Sequence, residues 1–321
     1  MSVAACLLLY GFAVAVLAPR LLQRVTHAGA APRVALIAWL ASMASTVAAW
    51  SAATILLLMD LVSHGISTAP KRFLDTCVTH LHDASVGRYG TPVQAGLLLL
   101  AGFVALAAGV LGLRLAKSLL RARRSTLEHA QLTRMAGRQH PELDAVVLEV
   151  DEPAAYCVAG KPHTIVLSRA VLAALPDDHL DAVLSHERAH LAGRHHLLLA
   201  GTRGLAAVLP RLTLFTIGAT EVARLLEMLA DDAAARIHGR GTVLHALRTL
   251  SGMKAGPAGA LGAAEVALAA RMQRLSTPTA PAARTRARLG LTAAAATATL
   301  APLASVLTAA LGIALCTPFS G

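Results

Sequence analysis

Four stretches of this 321-residue chain contain no Asp, Glu, Lys or Arg: the residues before Arg20, Val34 to Met59, Thr91 to Leu113, and everything after Arg288. A helix needs about 20 apolar residues to cross the hydrocarbon of a bilayer, so each gap is long enough for one span. The spacing predicts transmembrane helices at roughly 2–18, 35–59, 92–113 and 291–315. No Lys or Arg precedes the first apolar run, which therefore reads as an uncleaved span and not as a signal peptide. Gly96, Gly102, Gly109 and Gly112 in the third gap suit close helix–helix approach in lipid. With 55% hydrophobic residues and only four Cys, the composition excludes a disordered or a disulfide-stapled chain.

The basic residues orient these spans. Arg20 to Arg33 holds three Arg and no acid, and residues 60–90 are near charge balance. Residues 114–138 carry Lys117 and six Arg against Glu128, and 236–288 carry nine basic residues against Glu265. Positive flanks stay on the cytoplasmic side. Both termini are thus expected outside a plasma (inner) membrane, with 60–90 as an outer loop. Three regions follow: a three-span region 1–113, a cytoplasmic domain 114–288, and a fourth span with a short outer tail, 289–321. The net charge of +11 becomes chiefly membrane-flanking charge facing anionic lipid, and no direct nucleic-acid binding is expected. Cys77 and Cys316 fall near the outer face, where a bridge between them is conceivable; Cys157 faces the reducing side.

Within the cytoplasmic segment, an amphipathic helix over about 114–138 continues the third span. The β-branched run Ala145–Val150 predicts a strand, and Tyr156–Gly160 with Thr164–Ser168 predicts a hairpin. Ser168 is placed to cap a short helix that Pro176 stops. A longer helix is expected over Asp177–His196, with Asp177 as N-cap and Asp178 and Asp181 favoured by the helix dipole. On it, His186 and His190 are four apart, so both imidazoles project from one face and can grip one ion. Glu187 is turned about 100° away, beside the ion and not on it. This His-Glu-x-x-His pattern reads as two zinc ligands with a general base.

A catalytic zinc needs a third protein ligand and one open position. The helix-forming stretch Glu221–His238 offers Glu227 and Asp231 at i and i+4. Glu227 can complete a His₂Glu site, and Asp231 can accept a hydrogen bond from a ligating imidazole. Glu221 and Asp232 on the same stretch remain alternatives. Arg236 and His238 are weak candidates for stabilising an oxyanion. The apolar stretch 197–220 is interrupted by Arg203, Pro210 and Arg211, and reads as a hairpin dipping into the membrane or packed on the spans, with an ordinary buried helix pair as the alternative.

His186-Glu187-Arg188-Ala189-His190, the following Leu191–Leu199, and Glu227-Met-Leu-Ala-Asp231-Asp232, with three spans before and one after, resemble the BlaR/MecR-type integral-membrane zinc metallopeptidases. A more distant similarity is to the HtpX-type membrane proteases. The resemblance implies a mainly α membrane protein of four transmembrane helices with a cytoplasmic α+β, gluzincin-like metalloprotease domain. It implies one zinc per chain on His186, His190 and Glu227, Glu187 as base and Asp231 behind the ligands. The hairpin before the zinc helix is implied to bind substrate along an edge strand, Tyr156, Cys157, Val158 and Ala159. Two features depart from the pattern. Where many relatives have an acid five positions after the second His, this chain has His195, followed by His196. It also ends soon after the fourth span, without the extracellular β-lactam-binding domain of the penicillin-sensing relatives.

The expected function is zinc-dependent cleavage of a cytoplasmic protein, by resemblance a BlaI-like repressor, in signal-dependent proteolysis; a homo-oligomer is compatible with it. The alternative is a non-proteolytic membrane receptor or scaffold that keeps a structural metal site.

Overall fold

The charge-free stretches fold as long helices. A computed structural model describes residues 3–27, 29–63, 91–160, 162–253, 263–277 and 279–315. Three helices come first: α1 (Val3–Thr26), α2 (Pro32–Ser63) and α3 (Thr91–Ala136). Four short strands follow, β1 (Arg138–His140), β2 (Ala145–Leu148), β3 (Ala155–Val158) and β4 (Thr164–Ser168). Then come α4 (Arg169–Ala174), α5 (Asp177–Ala192), α6 (His195–Val208), α7 (Thr213–His238), α8 (Arg240–Met253), α9 (Ala263–Ser276) and α10 (Pro281–Leu315). The fold is mostly helical with one small mixed sheet. Most of the expected outer loop, with Cys77, and the tail with Cys316 lie outside the described residues.

Helix α1 and residues 32–57 of α2 are long and apolar enough to cross a membrane. Their apolar side chains are only partly inside: Leu9, Phe12, Leu17 and Leu21 of α1 are exposed, as are Phe103 and Leu106 of α3 and Leu303 and Leu307 of α10. Helices α1, α2 and α10 pack on one another. Pro32 begins α2, where a missing N–H costs nothing because the first turn has no acceptor for it.

The sheet has the order β1-β2-β4-β3, with β2 parallel to β4 and the outer pairs antiparallel. All five residues of β4 are buried, as befits a central strand of continuous apolar and small residues covered on both faces. One face, with Ile165 and Leu167, packs on Leu180, Val183 and Leu184 of α5. The other, with Val158 and Val166, packs on Ala130 of α3. The 155–168 hairpin forms as expected, and Ser168 caps α4 by accepting from the Val171 amide.

The helix expected over 177–196 is instead two. It stops at Ala192, Gly193 closes it, and Arg194 takes the left-handed conformation (φ 48°) before α6 begins at His195. Nor is Asp177 the N-cap: Pro176 occupies that position, and Asp177 and Asp178 lie in the first turn.

The stretch 197–220 forms a helix pair, most of α6 and the start of α7. Helix α7 packs on α2 through Leu214, Phe215, Val222, Leu225 and Leu226 against Ala38, Trp39 and Met43. Gly218 permits this approach, since a Cβ there would meet the Met43 sulfur at 3.0 Å. The site helix α7 is thereby fixed to a membrane-type helix on one side and to α5 on the other.

Candidate metal centre

Packing of α5 on α7 brings His186, His190 and Glu227 together. The two Nε2 atoms are 3.1 Å apart; Glu227 Oε2 lies 3.5 Å from His186 Nε2, and its Oε1 lies 3.4 Å from His190 Nε2. Among the described residues, this is the group of His, Cys, Asp and Glu side chains that can hold a metal ion. Ligands around a tetrahedral zinc with bonds of ~2.0–2.1 Å are separated by about 3.3 Å, close to each of these separations, and one donor atom from each residue lies within 4.8 Å of the others. Two neutral imidazoles and a carboxylate are a donor set suited to zinc. The residues fit the ion.

Behind the triangle, Asp231 Oδ1 lies 3.1 Å from His186 Nδ1, which turns Nε2 toward the donors. Asp231 is only 1% exposed and needs compensation. That comes from Arg271 on α9. Its Nε donates to Asp231 Oδ2 at 2.8 Å and its Nη2 to Oδ1 at 2.7 Å, while Nη1 reaches Glu227 Oε2 at 2.8 Å. One guanidinium thus fixes both carboxylates; it shares Glu227 Oε2 with His186 and leaves Oε1 to His190. Sequence reasoning missed Arg271 and counted it as membrane-flanking charge. It lies 40 residues beyond Asp231, and no periodicity connects the two.

Electrostatics differentiate the ligands. Burial alone would lower His186, but its hydrogen bonds to Asp231 and Glu227 outweigh burial and push it up to about 9. Burial holds His190 down at about 4, ready to offer a lone pair. Glu227 falls to about 2 despite burial, because His186 and Arg271 favour its anion, and Asp231 lies well below the usual carboxylate range through Arg271 and His186.

Glu187 sits beside the donors, lining the same cavity of about 430 Å³ as His186, Glu227, Asp231 and Arg271. Burial raises its pKa, the direction a proton-accepting and proton-returning carboxylate needs. The Cys157 thiol of β3 donates to it; burial and this carboxylate push the thiol up to about 12, so it stays protonated. Tyr156, Cys157 and Val158 belong to β3, the outer strand beside β4, and Ala159 directly follows it. The edge therefore borders the cavity through Ala155 and touches Glu187 through Cys157.

The third imidazole is His195, 7% exposed at the start of α6. Its Nδ1 lies 2.8 Å from His190 Nδ1, so it accepts the proton that His190 carries there when Nε2 faces an ion. The helix break at Arg194 makes this possible. Gly193 is required beside it, because a Cβ would come within 2.3 Å of His195 Nε2. His196 turns away toward His163.

The other candidates go elsewhere. Glu221 pairs with Arg224 at 2.7 Å and Asp232 with Arg274 at 2.6 Å. His238 lies 2.8 Å from Ser185 Oγ, and Arg236 is exposed on a different cavity.

Comparison with curated proteins and with solved structures found no match. The model of peptidase family M48, a family of zinc metallopeptidases, matches residues 120–294, more than half of the chain and all of the residues that build this site. The chain belongs to peptidase family M48.

Proposed function

We propose that this metallopeptidase is a membrane-embedded zinc endopeptidase of the BlaR/MecR type that cleaves a cytoplasmic protein, such as a BlaI-like transcriptional repressor, in signal-dependent proteolysis. The observation that carries the reading is the convergence of His186, His190 and Glu227 on one another, with His186, Glu227 and Glu187 lining one cavity. His186, His190 and Glu227 are the ligands of one zinc, and Asp231 orients His186. When bound, zinc supplies Lewis acidity that polarises the scissile carbonyl and makes water a nucleophile near neutral pH. Glu187 removes the proton of the attacking water and delivers it to the leaving amine. A structural site would not require that carboxylate, which favours an enzyme over a scaffold. The β3 edge, Tyr156 to Ala159, pairs with an extended substrate by backbone hydrogen bonds and holds its scissile bond toward Glu187.

Four spans, outward termini and a cytoplasmic domain over 114–288 complete the proposal. Their support is the exposed apolar faces of α1, α3 and α10 and the basic flanks of the charge-free stretches. The test compares new protein N-termini in cells carrying the wild type and Glu187→Gln. A cytoplasmic cleavage present only with Glu187 is expected. Identical N-termini under conditions where the protein is expressed and zinc-loaded would overturn the reading.

A further inference from the structure

A second cavity, of about 780 Å³, lies between the α1–α2 connection, the end of α7 and the α9–α10 connection. It is lined by six arginines, Arg33, Arg236, Arg240, Arg274, Arg284 and Arg288, and by one carboxylate, Asp232. They come from five helices, so this is no single solvated helix face. Asp232 is already committed to Arg274 at 2.6 Å, and Arg274 also donates to the Gly29 carbonyl at 3.0 Å. Arg284 reaches only the Thr279 carbonyl, at 3.5 Å. Among the described residues, the guanidiniums of Arg33, Arg236, Arg240 and Arg288 have no ion-pair or hydrogen-bond partner.

Guanidiniums within a Debye length of about 10 Å repel one another, so the fold keeps an unfavourable concentration of charge unless an anion sits among them. The first turn of α2 (Pro32, Arg33, Val34) lines the same space, and the helix dipole adds to the positive potential there. Planar guanidinium forks recognise phosphate oxygens in pairs.

We propose that this cleft binds the phosphate group of an anionic ligand, carried either by a lipid headgroup or by a soluble phosphate ester. The connection 27–31 joins the two helices long and apolar enough to cross a membrane, and α10 passes from Arg288 to its charge-free run beside it. On the membrane reading above, on which only the lipid source rests, the cleft lies at the headgroup level. It also ends on His195, whose other face meets His190.

The test uses the full chain in neutral detergent, with phosphatidylglycerol, phosphatidylcholine, glycerol phosphate and inorganic phosphate as probes, read by native mass spectrometry. The variant Arg33→Gln/Arg240→Gln/Arg288→Gln leaves the Arg274–Asp232 pair intact. An equally neutralised control, Arg121→Gln/Arg123→Gln/Arg124→Gln, lies on α3 away from the cleft. The cleft variant is expected to lose at least about tenfold in affinity with its zinc content unchanged, and the control less than about twofold. Binding of phosphatidylglycerol alone assigns the lipid source, and competition by the soluble probes assigns the ester. If the triple variant does not fold, the exposed Arg236→Gln is expected to lose about threefold. Equal losses in cleft variant and control, or no binding of any anionic probe, would overturn the proposal. A chain without zinc that still binds would fail the peptidase reading and leave this one standing.

Discussion

Arg271 is the residue on which both acids of the site depend. Its removal would leave Asp231, 1% exposed, with only His186 as partner. Breaking a buried pair in this way typically costs about 3–5 kcal/mol. Arg271→Ala is therefore expected to lower thermal stability sharply and to weaken zinc affinity by about 10–100-fold. Arg271→Lys keeps the charge, but its three donors radiate from one nitrogen and cannot reproduce the planar fork that spans Asp231 and Glu227, so it should fall between. Wild-type behaviour of Arg271→Ala in both unfolding and zinc titration would contradict this role. His186 sets the pH dependence of metal uptake. With a pKa raised from 6.5 to about 9, it carries a proton at neutral pH that an incoming cation must displace. That proton's contribution to stability is complete below pH 6.5 and lost as pH rises through about 9. Apparent zinc affinity should thus rise about tenfold per pH unit across this window and level off above it. His190, lowered to about 4, adds no step there. A calorimetric titration in buffers of different ionisation enthalpy would count the released proton.

The α5–α6 break has the same kind of consequence at a larger size. A continuous helix to His196 would carry His195 around the helix away from His190, since residues five apart do not share a face. The left-handed Arg194 redirects the chain, and Gly193 leaves room for the His195 ring. Gly193→Val is expected to displace that ring and weaken zinc binding by about tenfold with little loss of helix content. An unchanged zinc affinity would mean that His195 does not orient His190. The pair His186 and His190, and the pair Glu227 and Asp231, were legible in the sequence because i, i+4 spacing is a local property of a helix. The break was not. Gly193 is right-handed here, and Arg194 is a residue type with no preference for the left-handed region, so neither marks a stop. The β4 strand and the Ser168 cap were legible for the same local reasons, whereas the β2–β4 parallel pairing depends on the α3 and α5 cover.

The whole molecule joins a peptidase domain to long apolar helices through one continuous core. Trp39 and Met43 of α2 pack on Leu225, Leu226 and Met228 of α7, so the helix that carries Glu227 and Asp231 is also the one held by α2. Charge segregation made the helices legible, because a gap free of ionisable residues needs no tertiary knowledge. The convergence of α5, α7 and α9 on one cavity needed the fold, as Arg271 and the arginine cleft both illustrate. The most direct measurement of the central claim is the zinc content of the purified full chain, wild type against Glu227→Gln, each folded and in neutral detergent. One zinc per wild-type chain is expected, falling to a small fraction after dialysis in Glu227→Gln. A wild type without stoichiometric zinc, or a Glu227→Gln variant that retains it as tightly, would contradict the account.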